Sequence, residues 1–277
     1  MRFAEIIGNE SLKDALVRMA RSGRLGHALL LTEENGGGAF ALALALAQFV
    51  NCREPQENDS CGVCGSCHKY GKLIHPDLHF VFPVSASTAL SESEKKGPIS
   101  DYFLPAFREL ALANPYFTEQ QLYDAIGIEN KSGLISVNEA KRIAEKLLLR
   151  AAEGNWKTMI IYLPEKMNAE AANKLLKLLE EPPETSFICL IAEDEYKLLP
   201  TIRNRCVKWQ FKRYTREQLE TITSNEHVLK YARTPGQIEK YSKSKVDGIE
   251  ELCEKMFTVI HSAIVPNALS ISSKIAW

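Results

Sequence analysis

The chain has 277 residues, of which 45% are apolar and 25% charged, and its 34 Lys and Arg nearly balance its 35 Asp and Glu, giving a net charge of -1. This balance excludes a protein that binds nucleic acid through bulk positive charge. The length allows one large domain or two smaller ones. The longest apolar run, residues 39–47, is too short to cross a bilayer, and the first residues lack the apolar region of a signal peptide. We expect a cytoplasmic protein without membrane contact.

The first half of the chain begins with a helix, a strand and a glycine loop. Apolar residues at helical spacing predict a helix over residues 6–22, and a short apolar run predicts a buried strand over residues 27–32. The loop Asn35-Gly36-Gly37-Gly38 follows, and then an Ala- and Leu-rich helix as far as about Val50. Strand, glycine loop and helix in this order are typical of the start of a doubly wound nucleotide-binding fold.

Residues 83–133 are interpreted as an insertion outside the core, because they are polar and irregular at their start. A helix is predicted there only over residues 99–113. The helix that follows opens at Ser136, since Ser136 and Glu139 match a capping box in which each side chain accepts a hydrogen bond from the other residue's backbone N–H. We expect that helix to end at about Ala152.

Strands and helices alternate through the remaining sequence as far as residue 211. The predicted elements are strands over residues 77–82, 157–163, 187–192 and 206–211, and helices over residues 168–180 and 198–203. This alternation predicts an α/β fold with a parallel sheet covered by helices on both faces. No strand is predicted after about Lys212, and Thr215 with Gln218 matches a second capping box, so we expect a separate helical domain there.

Four of the seven cysteines lie close together in the sequence, at Cys52, Cys61, Cys64 and Cys67. Four thiolates at these short spacings can surround one zinc ion, and Gly62 and Gly65 allow tight turns between them. Such a site has no open position, so the zinc would be structural. Chance clustering of buried cysteines and iron–sulfur ligation are the alternatives. A reducing compartment makes a disulfide framework a poor explanation.

The glycine loop lacks the side chains with which a phosphate-binding loop holds ATP. A working loop has the pattern GxxxxGK[ST], in which Lys neutralises the phosphates and the hydroxyl holds magnesium. No lysine lies between Lys13 and Lys69, no Ser or Thr follows the glycines, and Glu33 and Glu34 add negative charge. We therefore expect a loop that turns strand into helix, with no productive ATP binding.

The strand over residues 157–163 also ends without the acidic pair of an ATPase. One acid of such a pair coordinates magnesium through water, and the other orients the attacking water. Here the strand end offers Tyr162 and Leu163, with a lone Glu165 beyond them. We therefore expect no hydrolysis by this chain.

Arg203 and Arg205 flank Asn204 in a turn between a predicted short helix and a strand. One reading is a solvated surface turn. The other is an arginine finger, in which an always-charged guanidinium reaches a phosphate on a neighbouring subunit. Charge alone does not decide between them.

Together these segments resemble the clamp-loader branch of the AAA+ superfamily, over about residues 1–240. The resemblance depends on the order and spacing of the segments Gly23–Leu30, the four cysteines, His75–Asp77, Glu165–Asn168, Ala172–Pro183 and Leu199–Cys206. Asn204 replaces the serine of the family's S-R-C motif, and an insertion as long as residues 83–133 is unusual in the family.

The resemblance implies a P-loop NTPase-like (AAA+) core over residues 1–211, with zinc at the four cysteines, and a small helical lid over residues 212–277. Too few residues then remain for the family's collar domain, so we expect a shortened chain. The resemblance also implies a subunit of DNA polymerase III that does not itself hydrolyse ATP but helps to load the sliding clamp onto primed DNA during replication. Arg205 would act in the ATP site of a neighbouring gamma/tau subunit.

The partners implied by the resemblance are the gamma/tau and delta subunits and, through the complex, the clamp and primed DNA. We expect a monomer in isolation. The alternatives are an active ATPase of the gamma/tau type and a zinc-dependent nucleic-acid-binding protein. The missing loop lysine disagrees with the first. The second needs basic and aromatic residues around the cysteines, and in residues 52–70 acidic side chains offset the basic ones.

Overall fold

A parallel sheet of five strands forms the centre of the protein in the computed structural model, which describes residues 1–87, 90–128 and 132–243. The strands are β1 Ala28–Thr32, β2 Leu78–Val81, β3 Lys157–Tyr162, β4 Ser186–Ala192 and β5 Val207–Gln210. Their order is β2-β3-β4-β1-β5, and every neighbouring pair is parallel. From β1 the chain runs to β2 at one edge of the sheet and returns through β3 and β4. It then passes β1 to reach β5 at the other edge. The loop after β1 therefore lies at a topological switch point, where such sheets bind ligands.

Helices cover both faces of the sheet. The helices in the described residues are α1 Glu10–Arg21, α2 Ala39–Val50, α3 Gly65–Gly71, α4 Glu92–Lys95, α5 Leu104–Ala113, α6 Glu119–Ala125, α7 Val137–Leu148, α8 Ala169–Glu180, α9 Pro200–Arg203, α10 Arg216–Glu220, α11 Glu226–Tyr231 and α12 Pro235–Lys243, of which α1, α2 and α5–α9 pack on the sheet. One apolar core joins α1, α2, α5 and α6 to one sheet face, and a second joins α7, α8 and α9 to the other. The predicted α/β fold, a parallel sheet covered by helices on both faces, is confirmed. None of the helices in the described residues is long and apolar enough to cross a membrane.

Each predicted strand agrees with the structure to within one residue at either end. Continuous apolar runs mark these strands because helices bury both faces of the sheet. The first helix starts later than predicted, at Glu10, since Asn9 has a left-handed φ of 55° and interrupts the helical backbone. The capping box of Thr215 and Gln218 is confirmed at the start of α10.

The predicted capping box at the start of α7 is wrong. Ser136 is the N-cap residue but makes no side-chain cap hydrogen bond. Glu139 is fully buried and accepts hydrogen bonds from the backbone N–H of Ser100 at 2.7 Å and from its hydroxyl at 2.6 Å. The carboxylate of Glu139 therefore bonds to Ser100, which is distant in sequence, and does not cap the start of α7 as the local pattern predicted. The helix ends at Leu148, before the predicted Ala152.

The expectation that residues 83–133 lie outside the core is also wrong for the described part of this segment. The ring of Phe107 stacks on that of Phe82 with centroids 4.4 Å apart, and it meets Phe40 edge-on at 5.6 Å. Phe117 lies 4.9 Å from Phe40. Because α2 is apolar nearly all round, it needs cover on the side away from the sheet. Helices α5 and α6 provide that cover.

Helices α10–α12 form a small apolar cluster of their own, made by Leu219, Val228, Leu229, Ala232 and Ile238. Residues 212–243 contain no strand, which agrees with the predicted helical region. Residues 244–277, which would complete the predicted lid, lie outside the described residues.

Candidate functional site

The glycine loop, residues 33–38, connects β1 to α2 at the switch point of the sheet. Glu33 folds back into this loop, and its Oε2 accepts a hydrogen bond from the backbone N–H of Ala39 at 2.6 Å. Only 5% of Glu33 is exposed. The free N–H groups and the dipole of a helix N-terminus favour an anion there, which is how such loops hold phosphate. The carboxyl group of Glu33 occupies that position.

One buried carboxyl group, that of Glu33, lies near two half-buried ones, those of Glu165 and Glu193, after the ends of β1, β3 and β4. Burial raises the pKa of Glu33 to about 8, and the negative charges of Glu193 and Glu165 add to this effect. Burial likewise raises the pKa of Glu193 to about 7. Glu165 Oε1 accepts hydrogen bonds from the backbone N–H groups of Glu193 at 2.8 Å and Asp194 at 3.3 Å. Glu165 thus ties the turn after β3 to the turn after β4, in an environment that disfavours more negative charge.

Tyr116, from the segment that was expected to lie outside the core, fills the space beside the glycines. A Cβ on Gly38 would lie 2.5 Å from Cε1 of Tyr116, and a Cβ on Gly36 would lie 3.0 Å from its carbonyl oxygen. The hydroxyl of Tyr116 accepts a hydrogen bond from the backbone N–H of Ile7 at 3.0 Å. Gly36 and Gly38 have φ of 76° and 94°, which only glycine adopts readily. The glycines therefore permit a left-handed turn and the close approach of Tyr116.

Residues that follow the sheet hydrogen-bond to the backbone of the same loop. These bonds run from Tyr214 Oη to Gly37 O at 2.6 Å, from Thr234 Oγ1 to Asn35 O at 2.8 Å, and from Gly236 N to Gly36 O at 3.1 Å. Sequence reasoning missed Tyr116, Thr234 and Gly236, because their partners lie some 80 to 200 residues away along the chain and no local pattern marks such contacts.

A cavity of about 590 Å³ remains between the loop and α11–α12. Its walls mix acidic and basic side chains: Glu33, Glu34, Glu193, Lys212, Arg213 and Arg233. Arg213 is paired with Glu34, Nε to Oε1 at 2.9 Å. The cavity thus lacks the concentrated positive field that a triphosphate needs.

The four predicted metal-ligating cysteines converge. All four sulfur atoms lie within 4.8 Å of one another, and the separations of Cys52, Cys61 and Cys67 are 3.5, 3.6 and 3.9 Å. With zinc–sulfur bonds of about 2.3 Å, the edges of a tetrahedral site are about 3.8 Å long. The thiols are free, and their separations are too long for disulfides. This donor set therefore fits one tetrahedral metal ion such as zinc.

Backbone N–H groups support the sulfur cluster. Those of Cys61, Cys64 and Cys67 point at the sulfurs of Cys52, Cys61 and Cys64 at 3.3, 3.4 and 3.5 Å. Gly62, where a tight turn is predicted, has a left-handed φ of 74°. Gly65 has no positive φ and begins α3.

Arg205 lies at the surface after α9. Its Nη2 is 2.7 Å from Oε1 of Glu180, and the two side chains are 44% and 41% exposed. The pair is therefore not a buried internal one. Arg203, two residues earlier, is half-buried and holds its guanidinium carbon 5.1 Å from the ring centroid of Tyr196 in its own domain.

The sequence is similar to known proteins over most of its length. Residues 8–215 match the sequence model of a family described as DNA polymerase III, delta subunit. The chain is 31% identical over 196 residues to DNA polymerase III subunit delta' of Yersinia pestis, a match that covers 70% of the chain and 44% of that relative. It is 26% identical over 230 residues to DNA polymerase III subunit tau of Escherichia coli, with 82% and 28% covered. The chain spans less than half the length of these relatives.

Among solved structures, the fold is similar to that of a DNA polymerase III gamma subunit-related protein from Thermotoga maritima. The TM-score is 0.50 at 19% sequence identity, and the match covers 86% of this chain and 61% of the other. At this identity the likeness concerns the fold alone.

Proposed function

The chain belongs to the family described as DNA polymerase III, delta subunit, and we propose that it is a clamp-loader subunit of the delta-prime type that does not hydrolyse ATP. In this role it joins gamma/tau and delta subunits to open the sliding clamp and place it on primed DNA. The match over residues 8–215 carries the proposal. Relatives named delta' and tau of DNA polymerase III support it.

The geometry of the glycine loop supports the absence of hydrolysis. Phosphoryl transfer depends on a lysine and a magnesium ion beside the phosphates. The loop offers the carboxylate of Glu33 at the start of α2, and Tyr116 lies against Gly38. A triphosphate would have to displace both groups and would then meet further negative charge at Glu193.

The exposed position of Arg205 supports the role of an arginine finger. A finger acts on the ATP of another subunit, so its side chain must reach the surface and release any partner there easily. The Glu180 pair meets this need, because an exposed ion pair contributes little to stability. Arg205 would stabilise the charge that develops on the γ-phosphate of a gamma/tau subunit.

The remaining assignments complete the proposal. Residues 1–211 are assigned to the AAA+ core and residues 212–277 to the lid, of which residues 244–277 lie outside the described part of the chain. The four cysteines hold one structural zinc ion, which fixes the start of α3 relative to the end of α2. A closed four-thiolate site leaves no position for a reacting water.

Reconstitution with the gamma/tau and delta subunits of the same organism tests the function. We expect a ring that contains this chain, and clamp loading on primed DNA that is lost when the chain is omitted. Calorimetry of the chain alone with magnesium and ATP should detect no binding tighter than about millimolar, and no phosphate should be released. Failure to join the ring, or ATP hydrolysis by the isolated chain, would contradict the proposal.

A further inference from the structure

We propose that the glycine loop is a docking socket for segments of the same chain, which hold α12 against the sheet domain without a nucleotide. The segments are residues 114–121, around Tyr116, and residues 234–236 at the start of α12. This inference concerns contacts within one chain and does not depend on a role in clamp loading. It gives residues 83–133 a task beyond covering the core.

Hydrogen bonds define one side of the socket. Thr234 Oγ1 donates to Asn35 O at 2.8 Å, and the backbone N–H of Gly236 donates to Gly36 O at 3.1 Å. Thr234 is 2% exposed, so water cannot easily replace its bond to Asn35. The start of α12 is thus held by the same stretch of backbone that holds phosphate in a working loop.

The contact of Gly236 is so close that no side chain fits there. A Cβ on Gly236 would collide with the carbonyl oxygen of Tyr116, and it would lie 2.8 Å from the Cα of Gly36. Gly236 lies in the first turn of α12 and has no positive φ, so its backbone does not require glycine. Alanine is the better helix former by about 1 kcal/mol. Glycine is therefore needed at this position because the backbone packs closely against Tyr116 and Gly36.

The segment around Tyr116 contacts both the loop and α12. The backbone N–H of Glu119 donates to Asn35 Oδ1 at 3.2 Å. The side-chain amides of Asn114 and Gln121 donate to Glu239 Oε2 at 2.5 and 3.0 Å. Residues 114–121 therefore link the loop to α12 through direct contacts of the chain itself. A ligand entering here would first have to expel Tyr116.

Hydrogen exchange on the full chain tests this socket, with Gly236→Ala as the main variant. The added methyl group should undock α12, so that amides of residues 33–38 and 235–243 exchange about 10-fold faster or more, while those of β3 and β4 keep their rates. Gly71→Ala is the matched control, because Gly71 also lies in a helix without a positive φ and nothing lies within 4 Å of its Cβ position. We expect less than about a 2-fold change there.

Thr234→Val keeps the test valid if Gly236→Ala does not fold. It keeps the shape of the side chain but removes two hydrogen bonds: the one to Asn35 O, and the weaker one that Thr234 Oγ1 accepts from the backbone N–H of Gln237 at 3.4 Å. Because the second bond lies within residues 234–237, exchange of the amides of residues 33–38 is the readout of docking, and it should rise about 2- to 10-fold. Magnesium and ATP at millimolar concentration should leave wild-type protection unchanged. Gly236→Ala and Thr234→Val exchanging like Gly71→Ala would overturn the proposal, and so would ATP-dependent protection of α12 in the wild-type chain.

Discussion

The backbone N–H of Ala39, the first residue of α2, donates to a carboxylate oxygen of Glu33 at 2.6 Å. This bond places an acid of the chain at the helix end where a phosphate-binding loop receives its ligand. The same carboxylate is buried near Glu193 and Glu165, which disfavour its ionisation. The loop therefore holds a carboxyl group of its own chain that is mostly protonated near neutral pH.

Glu33→Gln should change how stability depends on pH. Burial holds the pKa of Glu33 near 8, above its ordinary value of 4.5, so the folded state binds this proton more tightly. Its contribution to the free energy of unfolding is complete below about pH 4.5 and is lost as pH rises to about 8. Gln keeps an acceptor for Ala39 but does not ionise. We expect the variant to gain about 1–3 kcal/mol over wild type at pH 8 and little at pH 5, measured by urea unfolding.

Glu34→Gln is the control for this measurement. Glu34 is half-exposed and pairs with Arg213 at the surface, so its loss should change stability by less than about 0.5 kcal/mol. If the free energy of unfolding depends on pH in the same way for wild type and Glu33→Gln, protonation of Glu33 does not affect folding.

The sheet could be predicted from the sequence because strands buried on both faces, such as β3 and β4, form unbroken apolar runs. The cysteine cluster could be predicted because its ligands lie within 16 residues of sequence. The contact of Glu139 with Ser100 and the position of Tyr116 could not be predicted from the sequence. Each depends on a partner far along the chain, and local patterns describe only the competing local arrangement.

Phe107→Ala tests whether residues 83–133 belong to the core. Phe107 is 1% exposed and contacts Phe40, Phe80, Phe82 and Phe117, so its removal leaves a cavity under α2. We expect a loss of about 3–5 kcal/mol in the free energy of unfolding. Leu112→Ala, on the same helix but 52% exposed, should cost less than about 0.5 kcal/mol. Equal effects of the two changes in urea unfolding would argue against a core role.

Zinc is expected at one ion per chain, held by the four cysteines, and Cys64→Ser should lower the metal content sharply. The sulfur separations match a tetrahedral site, and a hydroxyl is a poor replacement for a thiolate ligand. Metal analysis of protein purified without chelator measures this. Cys206→Ala should retain the metal, because Cys206 lies in the other apolar core, away from the cluster. Wild-type protein without zinc, or Cys64→Ser with a full complement, would contradict the assignment.

Arg205→Ala should affect the assembled complex and leave the isolated chain almost unchanged. Arg205 and Glu180 form an exposed ion pair. Loss of this pair should change the free energy of unfolding by less than about 0.5 kcal/mol and should leave the zinc content intact. If Arg205 serves the ATP of a neighbouring subunit, ATP hydrolysis and clamp loading by the complex should slow, by up to about 10³- to 10⁵-fold at that one site. Steady-state phosphate release and clamp loading at saturating ATP measure the two rates.

Two neighbouring residues separate this role from a structural one. Glu180→Gln removes the partner of Arg205 within the chain, so it should leave loading at the wild-type rate or faster. Arg203→Ala should act through stability, because Arg203 is half-buried against Tyr196. Clamp loading at the wild-type rate by a complex that contains Arg205→Ala would contradict the arginine-finger role. A loss of loading in Glu180→Gln equal to that in Arg205→Ala would mean that the ion pair itself, and not a free guanidinium, is what the neighbouring subunit needs.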